Sequence, residues 1–112
     1  MLYLGNFKVK EGKFNEFQAW LKANEKTLAK QAEKVGWKYL GTFYYVLGTG
    51  GPAHGCFLYE FSKYGDIDKS RELFGDAIEE KLNKELTELL ANDPMHDQIL
   101  RPIGEAQLYK FQ

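Results

Sequence analysis

The feature that most constrains this chain is its order of hydrophobic patterns. Short aromatic-rich runs of period two flank two long runs of period 3.6, in the order strand, helix, strand, strand, helix, strand. Leu2 to Lys10 alternates, with Tyr3, Gly5, Phe7 and Val9 on one face and Leu2, Leu4, Asn6 and Lys8 on the other. Glu11-Gly12 turns the chain into a helix whose apolar stripe is Phe14, Phe17, Leu21, Leu28 and Val35, with lysines outside and Gly36 as its left-handed stop. Trp37 to Leu47 predicts a second strand, with Trp37, Tyr39, Phe43 and Tyr45 facing one way and Leu40, Tyr44 and Val46 the other. The glycine-rich stretch 48–55, which holds His54, predicts a loop, and Cys56 to Lys63 a third strand forming a hairpin with the second.

Asp66 or Asp68 can cap a second helix with the stripe Phe74, Ile78, Leu82, Leu86 and Leu89, which breaks at Asn92-Asp93-Pro94. Met95 to Leu100 predicts a short extra turn, and Glu105 to Phe111 the last strand. A βαββαβ order of this kind implies α+β architecture of the ferredoxin-like type: one four-stranded antiparallel sheet with both helices on one face, as a single domain over residues 1–112.

One pair of helices covers one face. The other would present Leu2, Leu4, Leu40, Tyr44, Val46, Cys56, Leu58 and Leu108, a larger apolar patch than a monomer usually exposes. A second copy packed sheet against sheet would bury it, so the expected partner is the protein itself, as a homodimer. Asn6, Lys8, Thr42 and Glu60 interrupt the face and predict a partly wet interface.

Composition narrows the function classes. The net charge is -1, which gives no general attraction to nucleic acid or to an anionic membrane. Charge is uneven nonetheless: residues 12–35 carry five Lys against three Glu, and residues 66–92 carry eight acids against four bases. One cysteine, Cys56, excludes an internal disulfide framework. No apolar run approaches the roughly 20 residues a membrane span needs, and no signal-peptide core develops at the N-terminus. A cytoplasmic location is the expectation. With His54 and His96 as the two histidines, no metal-ligand spacing exists, and neither a phosphate loop nor a dinucleotide fingerprint occurs. No metal or cofactor is expected.

The run Phe7-Lys8-Val9-Lys10-Glu11-Gly12-Lys13-Phe14 resembles the strand-to-helix start of the dimeric α+β barrel superfamily, with Glu11 where a proline often stands. Val35-Gly36-Trp37 followed by Gly41, and Leu58 to Lys63 before the second helix, are similar too. That superfamily includes antibiotic-biosynthesis-type monooxygenases, muconolactone-isomerase-like enzymes, small polyketide cyclases, haem-degrading proteins and stress-responsive members. The resemblance implies a homodimer and a ligand cavity between sheet and helices. It does not carry haem degradation over, because the position of the relatives' strand-one Asn falls on Gly5 and residues 66–92 contain no His.

A cofactor-independent oxygenase or cyclase needs a shaped apolar cavity and one or two proton-transfer groups. Gly5 and Gly41 would leave room on the helix-facing side, with Tyr3, Trp37, Tyr39 and Phe61 as walls for a small hydrophobic or aromatic ligand. His96 and Tyr59 are the candidate catalytic pair, His96 because imidazole titrates near neutrality. The competing expectation is a non-catalytic ligand-sensing or assembly module, in which the same rings are core.

Overall fold

The computed structural model describes residues 1–47, 53–63, 65, 77–92 and 97–104, with side chains of 77–79 excepted. The expected order is present: β1 (Leu2–Lys8), α1 (Phe14–Lys34), β2 (Lys38–Tyr44), β3 (His54–Glu60), α2 (Ala77–Leu89) and β4 (Gln98–Leu100). The strands lie in the order β2-β3-β1-β4, every neighbouring pair antiparallel. That is the ferredoxin-like α+β sheet, with the two sequence-distant strands β1 and β3 at its centre.

Both helices cover one face. Phe17 of α1 meets Phe7 and Phe57 at ring-centroid distances of 5.1 and 6.4 Å. Leu82 and Leu89 of α2 join the same buried cluster, which also holds Val9, Trp20 and Leu28. A hydrogen bond of 2.6 Å from Trp20 Nε1 to Glu85 Oε2 ties the helices together. α1 ends where expected: Gly36 has φ 77 and donates to the Glu33 carbonyl, a conformation that costs glycine nothing. Trp20, Gln31 and Ala32 are buried on α1 beside the expected stripe, whereas Phe14, at its first turn, is more than a third exposed.

Three expectations need correction. The second strand carries a β-bulge between Tyr39 and Gly41: Tyr39 pairs with Tyr59, but Gly41 pairs with Leu58. One extra residue reverses side-chain parity beyond it. Thr42 and Tyr44 therefore face the helices, while Phe43 and Tyr45 lie on the open face, opposite to the simple alternation. Gly41 itself, at φ 135, belongs to the bulge rather than to a space under the helices. Second, the third strand begins at His54, which is buried and pairs with Lys8, not in a loop. Third, Gln98–Leu100 is a strand on β1 and not a turn; Leu2 pairs with Leu100, and the Asn6 side-chain amide donates to Gln98 Oε1 at 3.2 Å. The expected strand at 105–111, Leu108 with it, lies outside the described residues, as do the expected caps Asp66 and Asp68 and the stripe residue Phe74.

Candidate functional site

Five of the six residues expected to form the site meet on the helix-facing side. Tyr3 and Tyr59 are cross-strand partners, and so are Tyr39 and Tyr59. The next ring along, Trp37, lies 5.3 Å from Tyr3, 5.9 Å from Tyr59 and 5.0 Å from Phe61, stacked on the last at 18°. Tyr39 and Tyr59 are 5.5 Å apart. Trp37 and Phe61 are almost wholly buried, with Ala32 and Val35 of α1 above them and Met1 at the margin. Geometry of this kind gives each ring pair about 0.5–1.5 kcal/mol beyond its burial. His96, the sixth, lies outside the described residues.

The polar rim holds a residue that sequence reasoning passed over. The Tyr3 hydroxyl donates to Asp97 Oδ2, and Asp97 Oδ1 accepts the Asn6 backbone N–H at 3.2 Å. Burial, then the hydrogen bond and charge of Asp97, holds the Tyr3 hydroxyl well above its ordinary pKa. At neutral pH it is a proton donor and not a base. Asp97 escaped the sequence because its placement depends on β4 pairing at 98–100. The Tyr39 hydroxyl lies 2.5 Å from Thr42 Oγ1, a contact that exists only because the bulge turns Thr42 inward. Tyr59, the tyrosine expected to handle protons, sits between Tyr3 and Tyr39 in the cluster.

Two concavities adjoin this framework. One is a slot of about 120 Å³ between the first turns of α1 and the free edge of β2. Phe7, Val9, Phe17 and Leu21 make its interior, with Phe14 and Tyr44 crossing edge to face at 5.3 Å beside it and Gln18 and Thr42 as polar groups. The other, about 590 Å³, is an open groove beside the end of α2. Among the described residues no His, Cys, Asp and Glu side chains converge as a metal-binding group, and no helix is long and apolar enough to cross a membrane.

The open face reads differently. Leu40, Leu58, Leu4, Leu2 and Leu100 form an aliphatic row across all four strands. Beside it runs a polar belt: the Tyr45 hydroxyl reaches over β3 to donate to Asn6 Oδ1 at 2.6 Å, and Asn6 continues the chain to Gln98. Cys56 is buried beneath this belt, and burial pushes its thiol up, away from the reactive thiolate.

No family model matches the sequence, and no curated protein does. Solved structures do. A NIPSNAP-like domain protein from Burkholderia xenovorans superposes with a TM-score of 0.73 at 17% identity, covering 95% of this chain and 87% of its own. A NIPSNAP family protein of unknown function from Agrobacterium tumefaciens gives 0.70 at 17%, covering 96% and 91%. At such identity the likeness shows the shared ferredoxin-like fold.

Proposed function

We propose that this chain is a homodimeric, small-molecule-binding protein whose ligand, a small hydrophobic or aromatic compound, occupies the slot between α1 and β2. The slot carries this reading. Its walls are aromatic and aliphatic with a few polar groups at the side, the usual make-up of a ligand site. An engineered apolar cavity of about 150 Å³ admits benzene, so a volume near 120 Å³ suits one ring or a short alkyl end. Titrating phenol against the isotope-labelled protein should shift the amides of Phe17, Leu21, Thr42 and Tyr44. Leu21→Trp, which fills the slot, should abolish those shifts while the far-ultraviolet spectrum stays native. Equal binding by wild type and the filled variant would sink the assignment.

The open face supports the homodimer. Its leucine row is apolar at the centre, and its margins carry groups that can answer their own copies: Lys38 beside Glu60 at one end, the Tyr45-Asn6-Gln98 belt at the other. The face alone offers fewer residues than the about 20–30 a side of a standard interface. Val46, Leu47 and Ile103, all 94% exposed or more, extend the apolar surface past the sheet. Leu58→Asp should convert dimer to monomer on sizing chromatography; an unchanged elution volume counts against this face.

A finer reading is a cofactor-independent, monooxygenase-like or cyclase activity. Tyr3 held on Asp97 favours it, with His96 next in the chain and Tyr59 as the proton-transfer groups; the reaction would take place against the rings of Trp37, Tyr39, Tyr59 and Phe61, apart from the slot, whose lining includes none of them. Oxygen uptake with phenol that vanishes in Tyr3→Phe and survives Leu21→Trp supports the enzyme. Binding without turnover supports the ligand-sensing or assembly module of the same fold.

A further inference from the structure

The groove beside the end of α2 has a chemistry of its own, separate from the slot. Its floor is Leu86, Leu90 and Ala91; its rim is Lys10, Asn83, Thr87 and Asn92. Asn83, Leu86, Thr87 and Leu90 recur at helical spacing, so they lie along one flank of α2 and its continuation. Leu82 and Leu89 occupy the core-facing side instead, both buried. Leu86 and Leu90 pack against that core from its edge, so the groove is a valley at the margin of the core, between this flank and the chain leaving β1.

Its walls are fastened to each other. The Lys10 backbone N–H donates to the Leu89 carbonyl at 2.9 Å and the Ala91 N–H to the Lys8 carbonyl at 2.7 Å, with Val9 and Leu90 bridging between them. Preformed walls lower the ordering cost of taking up a ligand.

The rim is rich in donors. Lys10 brings an ammonium, and Asn83 and Asn92 each bring a carboxamide N–H₂. The Thr87 hydroxyl proton is already given to the Asn83 carbonyl at 2.7 Å. Among the described residues no Asp or Glu lines the groove, and no carboxylate pairs with Lys10. A volume of about 590 Å³ is within the range of pockets that hold drug-sized molecules and well beyond a bare ion. Among the described residues one cation, flanked by amides over an aliphatic floor, lines the groove; it matches a singly charged head on an apolar body, and a phosphate dianion would be left half-neutralised there.

We propose that this groove binds an organic monocarboxylate, its carboxylate on Lys10 and the asparagine amides and its hydrocarbon body on Leu86 and Leu90. Octanoate is the probe and 1-octanol its uncharged counterpart, each titrated into isotope-labelled protein and followed by amide shifts. Octanoate should shift Lys10 and residues 83–92, and bind about tenfold more weakly to Lys10→Gln, the loss expected for one charge-assisted contact. Raised salt should weaken it as well. Lys10→Arg should retain most of the affinity. 1-Octanol should bind wild type more weakly than octanoate does and be indifferent to Lys10→Gln. The Leu21→Trp variant should leave these shifts unchanged, which separates this groove from the slot. Equal affinity for octanoate and octanol overturns the proposal, as do octanoate shifts confined to Phe17, Leu21 and Tyr44.

Discussion

On the front of the sheet, Tyr3, Phe57, Tyr59 and Phe61 belong to a network of rings packed ring against ring under the helices; on the back, the partly exposed Leu2, Leu4, Leu40 and Leu58 form an aliphatic row. Strands β1 and β3 supply residues of both sets, so alternation alone did not create the difference. Aromatic rings interlock at preferred angles and fix the distance between sheet and helices. Leucines make a smoother surface that a second, identical surface can meet without matching ring for ring. The front packs against the chain's own helices, and the back is the face proposed for a second copy.

The largest test of that contrast pairs Phe61→Ala with Leu58→Ala. Phe61 is 1% exposed and stacked on Trp37, so its truncation should cost about 3–5 kcal/mol in urea unfolding at any protein concentration. Leu58 is partly exposed in one chain, and its truncation should cost about 1 kcal/mol in dilute protein. If the proposed dimer forms, the Leu58→Ala cost should grow as concentration rises, because the second copy would bury the rest of the side chain. Equal, concentration-independent losses would mean that the back is as complete as the front.

Glycines sharpen the same comparison at the backbone. A Cβ on Gly55 would collide with the Phe43 carbonyl oxygen and stand 2.9 Å from a Phe7 ring carbon on the front. Gly55→Ala should cost about 2–3 kcal/mol, the range of an overpacked core. Gly41, in the bulge, has φ 135, and its Cβ would meet the Phe43 ring edge at 3.2 Å. That ring is half-exposed and can yield, so Gly41→Ala should cost about 1–2 kcal/mol, chiefly as backbone strain. Thermal unfolding of both variants checks the order; a larger loss for Gly41→Ala would make the bulge, not the core, the rigid part of the sheet.

The bulge also explains where sequence reading stopped. Helix α1, its glycine stop, the hairpin and the aromatic cluster were legible because each follows from local period or from parity within one strand. Strand β2 was legible only up to Tyr39. Beyond it, one extra residue reversed Phe43, Tyr44 and Tyr45, and no periodicity announces an insertion of that kind. Gly41 was the available signal, since an isolated glycine in a strand marks a bulge or a close approach. Asp97 failed for a different reason. Its contact with Tyr3 spans 94 residues of sequence and needs Gln98–Leu100 to pair with β1, a short strand that helical and turn patterns masked. The slot was hidden likewise: Tyr44 and Thr42 line it only after the reversal.

Alkaline titration gives the smallest effect and compares the faces through two tyrosines. Burial pushes Tyr39, on the front, up to about 12, with the Glu25 carboxylate adding to the rise and the Thr42 hydrogen bond opposing it. Burial pushes Tyr45, on the back, up to about 12, with the Cys56 thiol adding to the rise. Unfolded tyrosine titrates near 10. Between about pH 10 and 12 the unfolded chain therefore holds fewer protons than the folded one, and stability falls with rising pH. Below about pH 10 the contribution is fully present; above about 12 it is gone. Urea unfolding across this window should show a downward slope that Tyr39→Phe and Tyr45→Phe each flatten in part. With the proposed homodimer the Tyr45 share should steepen with protein concentration, because a second copy would deepen its burial, while the Tyr39 share stays constant. Tyr45 behaving as Tyr39 does at every concentration would leave the back of the sheet without the partner proposed for it.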